Sequence, residues 1–63
     1  MNNTYYLNIY HNGDLAIDGL QVVEVSSISN ARQIFKIRLN SGRFDDILDG
    51  YEGYTWKAEK VNR

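Results

Sequence analysis

The chain has 63 residues and no cysteine, so side-chain packing has to stabilise its fold without the help of disulfide bonds. Its single histidine, His11, also leaves too few soft ligands for a structural zinc ion. A domain of this length buries only about 60% of the surface that its unfolded chain exposes, which leaves its stability marginal. Two routes to stability remain, a compact aromatic core or association into a homodimer, and both stay open at this point.

The N-terminal part of the sequence predicts a β-hairpin. Residues 5–10 alternate between two faces, with Tyr5, Leu7 and Ile9 on one of them, as in a half-buried strand. Asn12-Gly13 comes next, and this dipeptide favours a tight hairpin turn because both positions accept a positive φ. Residues 15–17 are the predicted return strand, and Asp18-Gly19 is predicted to form a second turn.

The middle and the end of the chain predict further strands. Residues 20–28 are rich in β-branched side chains, and residues 33–39 alternate, with Phe35, Ile37 and Leu39 on one face. Residues 29–32 are then the predicted loop between these two strands. A last strand is predicted over residues 54–61, where the alternation returns.

Residues 44–51 follow a helical period instead. Positions i, i+3, i+4 and i+7 form one face of a helix, and here they are Phe44, Ile47, Leu48 and Tyr51. A strand here would place the carboxylate of Asp46 between two apolar side chains. The sequence therefore favours a helical turn in this segment.

Together these elements predict one domain over residues 1–63 that is mainly β. The expected architecture is a small antiparallel sheet or an SH3-like barrel of four to five strands, with one short helical turn near residues 44–51. We expect Phe35, Phe44 and Trp56 to form the core, because a domain this small has to bury some of its aromatic side chains.

Charge and hydropathy exclude several classes of function. The formal net charge of −1 gives the whole chain no attraction for nucleic acid or an anionic membrane. The N-terminal residues lack the pattern of a signal peptide, and no apolar run approaches the roughly 20 residues that cross a bilayer. We therefore expect a cytoplasmic protein that does not bind membranes.

No set of residues predicts catalysis. A general base needs a partner that orients it and a nucleophile in reach, and no spacing in the chain supplies these to His11. We interpret His11 as an exposed turn residue, and we predict neither an enzyme nor a cofactor.

The densest charge of one sign in the chain is acidic. This acidic segment, residues 45–52, does not fit a calcium-binding loop, because Ile47 and Leu48 stand where oxygen ligands are needed. No metal site is therefore predicted. On a helical turn the carboxylates largely avoid the apolar stripe, either as an ordinary solvated face or as an acidic patch that docks a protein. These carboxylates are Asp45, Asp46, Asp49 and Glu52.

Tyrosines are the second candidate for a binding surface. Tyr6 and Tyr10 lie opposite Leu7 on the first predicted strand, so they form a candidate exposed pair. Tyr51 and Tyr54 stand on either side of Gly53, next to the acidic segment. Tyrosine is enriched at binding hot spots because it buries a large area while losing little side-chain entropy. Packing at the edge of the core is the alternative for each of them.

Basic residues suggest a different partner. Lys36 and Arg38 share a face of the predicted strand over residues 33–39, and Arg43 follows it. A basic strand face beside aromatic side chains can bind a single-stranded nucleic acid through phosphate attraction and base stacking. The alternative is a solvated face that pairs with the acidic residues of the N-terminal half.

From the sequence we therefore predict a non-enzymatic interaction domain that binds another protein through a strand edge, the Tyr6/Tyr10 face or the acidic segment. A weak binder of single-stranded nucleic acid is the alternative. A short chain without cysteine would suit an accessory or inhibitory protein of a microbe or phage, and the pattern does not identify its partner.

Overall fold

The computed structural model of the protein describes residues 2–61, which form a three-stranded antiparallel sheet with helices packed on one face. The strands lie in the order β2-β1-β3, so the first strand is central and pairs on both sides. The elements are β1 (Asn3–His11), β2 (Asp14–Val25), α1 (Ile28–Asn40), α2 (Asp45–Leu48), a 3₁₀ turn (Asp49–Tyr51) and β3 (Thr55–Lys60). The prediction of a mainly β protein with an antiparallel sheet is confirmed.

The predicted hairpin between β1 and β2 is confirmed. His11 pairs with Asp14, and the two residues between them have φ angles of 55° at Asn12 and 85° at Gly13. A turn with two positive φ angles matches the right-handed twist of the strands that it joins. The sequence signal and the backbone therefore agree at this turn.

The second turn predicted at Asp18-Gly19 is wrong, because β2 continues through it as a single strand. Leu7 pairs with Gln21 and Ile9 with Ile17, so a bulge of β2 faces the single residue Asn8. Gly19 has a φ of 73° in this bulge, and its N–H donates to Asn8 Oδ1 at 2.7 Å. The turn chemistry at this point therefore bends the strand instead of ending it.

The strand predicted over residues 33–39 and the loop predicted over 29–32 are also wrong, because both segments belong to α1. Ser27 caps the helix, and its Oγ accepts a hydrogen bond from the Asn30 N–H at 3.2 Å. Ala31, Phe35 and Leu39 recur every four residues and are buried against the sheet. Ile37, which the strand prediction placed beside them, is 70% exposed.

The core lies in one layer between the sheet and the helices. Tyr5, Leu7 and Ile9 of β1 point into it, and Phe35 of α1 is fully buried among the core residues. The predicted burial of Phe35 and Phe44 is confirmed, whereas Trp56 is only half-buried at the edge of this layer. The whole core cluster comprises Tyr5, Leu7, Ile9, Val23, Ala31, Phe35, Leu39, Phe44, Leu48 and Ala58.

The helical turn predicted near residues 44–51 is confirmed by α2 and the 3₁₀ turn that follows it. Phe44 and Leu48 are buried there, although Ile47 is half exposed. The SH3-like barrel of four to five strands is not confirmed, because the described residues form three strands and the sheet stays open. Two predicted strands merged into β2, and a third is the helix α1.

The core predicts a clear contrast between two neighbouring apolar residues of α1. Replacing Phe35 by Ala should lower the free energy of unfolding by about 3–5 kcal/mol, because a fully buried aromatic side chain is lost. The matched change Ile37→Ala should alter it by less than about 0.5 kcal/mol, because this side chain lies in water. Urea unfolding followed by circular dichroism measures both, and equal losses would contradict the helix.

Candidate functional site

The sheet has one face that the helices leave uncovered, and we call it the open face. Alternation along β1 directs Tyr6, Asn8 and Tyr10 away from the buried side chains of Leu7 and Ile9. Cross-strand pairing adds residues from both neighbouring strands, since paired residues share a face. The open face consists of Thr4, Tyr6, Asn8, Tyr10, Leu15, Val22, Glu24, Thr55, Lys57 and Glu59.

Apolar and aromatic groups occupy much of the open face. Leu15 is 51% exposed and Val22 is 52% exposed. On β2, Leu15 pairs with Tyr10 of β1 and Val22 pairs with Tyr6. Tyr6 and Tyr10 are half-buried. Antiparallel sheets that face water usually carry polar residues on that side, so exposed aliphatic groups beside tyrosines are typical of a contact surface.

Contacts across the strands hold Tyr10 in place. Its hydroxyl donates a hydrogen bond to Glu59 Oε1 across the strands. Lys57 Nζ lies 5.2 Å from the centroid of the Tyr10 ring, which is within the range of a cation–π interaction. Tyr10 therefore loses little side-chain freedom when a partner covers it.

Acidic groups outnumber basic ones around this tyrosine. The hydrogen bond to Glu59 is the main cause that raises the pKa of Tyr10 above its ordinary value of 10.0, followed by desolvation and by the charges of Glu59 and Asp18. Glu24 pairs with Thr4 further along the same side of β1 and β2. Among residues 2–61, the carboxylates of Asp18, Glu24 and Glu59 therefore lie on or beside the open face, together with the ammonium group of Lys57.

The raised pKa predicts how stability changes in alkali. The neutral hydroxyl of Tyr10 is favoured in the folded protein, so its contribution to stability is complete below pH 10 and is lost as the pH rises through the raised pKa. We expect Tyr10→Phe to be less stable than the parent at pH 8 and to lose less stability on going to strongly alkaline pH. Thermal melts at both pH values measure this, and parallel losses in the two proteins would contradict the Glu59 contact.

A second concave surface lies at the acidic segment. Asp45 and Asp49 line it from α2 and the 3₁₀ turn, and Glu52 and Tyr54 line it from the connection to β3, around a cavity of about 570 Å³. The structure thus brings three of the four predicted carboxylates and one predicted tyrosine together, which we call the acidic groove. Asp46 is exposed on α2 and does not line it.

His11 and Tyr51 attach this segment to the hairpin. Their rings meet edge to face with centroids 5.8 Å apart, and His11 Nε2 lies 3.1 Å from the Glu52 carbonyl oxygen. Tyr51 therefore contacts the protein itself at this point and is separate from the open face. Within residues 2–61, no cluster of three or more His, Asp or Glu side chains is arranged to hold a metal ion.

The predicted basic strand face does not exist, because its residues belong to a helix. Lys36 and Arg38 lie two positions apart on α1, which separates their directions by roughly 200°. Arg38 Nη1 donates to Gln21 Oε1 of β2 at 2.7 Å, and the Arg43 guanidinium lies 5.5 Å from the centroid of the Phe44 ring. The geometric basis for binding a single strand is therefore wrong, and the binding itself stays a prediction.

A nucleic-acid titration checks this point directly. We expect a labelled single strand to show no salt-dependent binding by fluorescence anisotropy, because Lys36 and Arg38 point in different directions from α1 and Arg38 is bonded to Gln21. Binding that weakens steeply with salt and is lost in Lys36→Ala would contradict this expectation.

Sequence reasoning missed most of the open face outside β1. Leu15, Val22, Lys57 and Glu59 join Tyr6 and Tyr10 only through the pairing registers of β1 with its two neighbours. The alternation of polar and apolar residues in β3 was a signal for Lys57 and Glu59, but it did not say which strand lies beside them.

The described helices include none that is long and apolar enough to cross a membrane.

Comparison of the chain with family models, with curated proteins and with solved structures finds no match.

Proposed function

We propose that the protein is a non-enzymatic interaction domain that docks a basic segment of another protein on its open face. The observation that carries this proposal is the one-sided packing of the helices, which leaves Tyr6, Tyr10, Leu15 and Val22 together on the opposite face of the sheet. Burying exposed aliphatic groups beside amphipathic tyrosines stabilises a complex without requiring a deep pocket.

The charge of the open face defines the chemistry of the partner. Asp18, Glu24 and Glu59 outnumber Lys57 around the apolar patch, so a partner rich in Lys or Arg complements it. Such charges mainly raise the association rate, whereas the buried aromatic and aliphatic contacts slow dissociation. The proposed binding mode therefore combines contacts to Tyr6, Tyr10, Leu15 and Val22 with attraction to the neighbouring carboxylates.

The acidic groove supports binding of the same kind of partner. Asp45, Asp49 and Glu52 attract basic side chains, and Tyr54 offers an aromatic wall. The groove lacks exposed aliphatic residues of the kind found on the open face, since its apolar residue Leu48 is buried. We therefore assign the principal contact to the open face and an electrostatic role to the groove.

The test removes exposed apolar groups from the open face and from a control surface. The protein is immobilised, a lysate of its native host is passed over it, and bound proteins are identified by mass spectrometry and then purified for kinetic measurements. Leu15→Thr with Val22→Thr should raise the dissociation rate of the purified partner at least about tenfold. Ile37→Gln, which removes an even more exposed apolar group from α1, should leave the dissociation rate unchanged.

The groove is tested separately with Asp45→Asn and Asp49→Asn together. This variant should lower the association rate and weaken its salt dependence while the dissociation rate stays within about twofold of the parent. If the open-face variant binds like the parent while the groove variant loses most affinity, the open face is not the docking surface. If Ile37→Gln is the damaging change, the partner binds the helical side.

A further inference from the structure

The outer edge of β3 has no neighbouring strand within residues 2–61, because β3 is the last strand of the described sheet on that side. The Val61 N–H donates to the Thr4 carbonyl oxygen at 2.9 Å. Together with the register of β3 on β1, this bond shows which residues of β3 direct their main-chain groups towards β1. The N–H and C=O groups of successive residues point to opposite sides of a strand. The main-chain groups of Lys57 and Glu59 therefore point towards β1. The N–H and C=O groups of Trp56, Ala58 and Lys60 therefore face outward.

The sequence of this edge is complementary to itself in the antiparallel direction. If Ala58 pairs with Ala58 of a second copy, Lys57 faces Glu59 of that copy, and Glu59 faces its Lys57. On the other side of the strand, Trp56 faces Lys60 of the second copy. The three outward-facing residues of each strand then exchange main-chain hydrogen bonds with one another, as the ladder geometry requires.

Neighbouring registers are excluded by charge. A shift that centres the pair on Lys57 sets two ammonium groups opposite each other, and a shift that centres it on Glu59 sets two carboxylates opposite each other. Like charges in directly opposed positions destabilise a strand pair, whereas opposite charges stabilise it. Of these three registers, the one centred on Ala58 sets opposite charges against each other and pairs the outward main-chain groups.

Apolar surface is exposed at the same edge. A groove of about 380 Å³ runs along β3 beside the start of α1, with Ile28, Arg32 and Trp56 among its lining residues. Ile28 is 48% exposed and Trp56 is half-buried. Ala58 has the smallest side chain of the strand, so a second backbone can approach closely at this point. A second copy that pairs with β3 covers this groove.

The geometry points to a homodimer in which β3 pairs antiparallel with β3 of a second copy about a twofold axis at Ala58. The axis stands perpendicular to the sheet, so the two three-stranded sheets join into one and both α1 helices lie on the same side. The Tyr10 hydroxyl donates to Oε1 of Glu59. The other carboxylate oxygen, Oε2, accepts from Lys57 of the second copy. This inference does not depend on the proposed partner and is tested without it.

The experiment reverses one charge at a time and then mixes the products. Sedimentation equilibrium of the parent should show a monomer–dimer equilibrium with a Kd below about 1 mM. Lys57→Glu and Glu59→Lys should each weaken self-association at least about tenfold, because both pairs across the axis become repulsive. An equimolar mixture of the two variants should form a heterodimer with a Kd within about threefold of the parent, because every opposed pair is again of opposite charge.

Matched controls keep the same change in net charge away from the edge of β3. Lys36→Glu lies on the exposed side of α1, and Glu24→Lys lies on β2, so both should associate like the parent. Circular dichroism establishes that each variant is folded, and recovery in the mixture excludes misfolding as the cause of weak association.

Three outcomes would overturn the inference. The first is a parent that stays monomeric up to about 1 mM, which would show that the lysines at this edge protect it from pairing. The second is a pair of single variants that dimerise as strongly as the parent. The third is folded variants that do not associate when mixed, since the register centred on Ala58 requires them to do so.

Discussion

The fold depends on the two-sided nature of β1, the central strand. Its odd-numbered side chains Tyr5, Leu7 and Ile9 are buried against α1, where Phe35 is fully buried. Because side chains alternate along a strand, this burial also fixes Tyr6 and Tyr10 on the opposite face. A shift of one residue would exchange the two sets and expose the core, so the register of β1 is strongly specified. The open face is thus a direct consequence of the packing of the core.

A buried polar contact keeps the long strand β2 aligned with β1. Asn8 is 5% exposed, and the amide hydrogen bond from Gly19 satisfies its side-chain oxygen inside the bulge. None of the buried side-chain polar atoms among residues 2–61 lacks a hydrogen-bond partner. The hydrogen bond between Asn8 and Gly19 therefore fixes the backbone in the middle of the open face, which suits a surface that binds without rearranging.

The net charge of −1 conceals a separation of charge between the β1–β2 hairpin and the helix α1. The hairpin of β1 and β2 carries Asp14, Asp18 and Glu24 without a basic residue, and α1 carries Arg32, Lys36 and Arg38 without an acidic one. As a strand, residues 28–40 would have distributed these cations across the sheet. The helix instead collects them on the side away from the open face, which leaves that face acidic.

The local sequence by itself determined the elements whose signal lies within a few residues. Asn12-Gly13 specified the hairpin turn because few other residues accept two positive φ angles, and the alternation from Tyr5 to Ile9 specified the buried face of β1. The spacing of Phe44 and Leu48 specified the helical turn, where both side chains are buried. At the candidate site, sequence patterns identified Tyr6 and Tyr10 and most of the acidic groove.

Tertiary structure decided what these short patterns left ambiguous. Phe35 and Leu39 lie two residues from Ile37, as on one face of a strand, and four and eight residues from Ala31, as on one face of a helix. The apolar face of β1 selects the helix, because a helix buries Ala31, Phe35 and Leu39 together and leaves Ile37 in water. Asp18-Gly19 became a bulge because Asn8 bonds it from the neighbouring strand. Tyr10 and Glu59 lie 49 positions apart, and only the pairing of β1 with β3 brings them together, since no local pattern encodes which strands become neighbours.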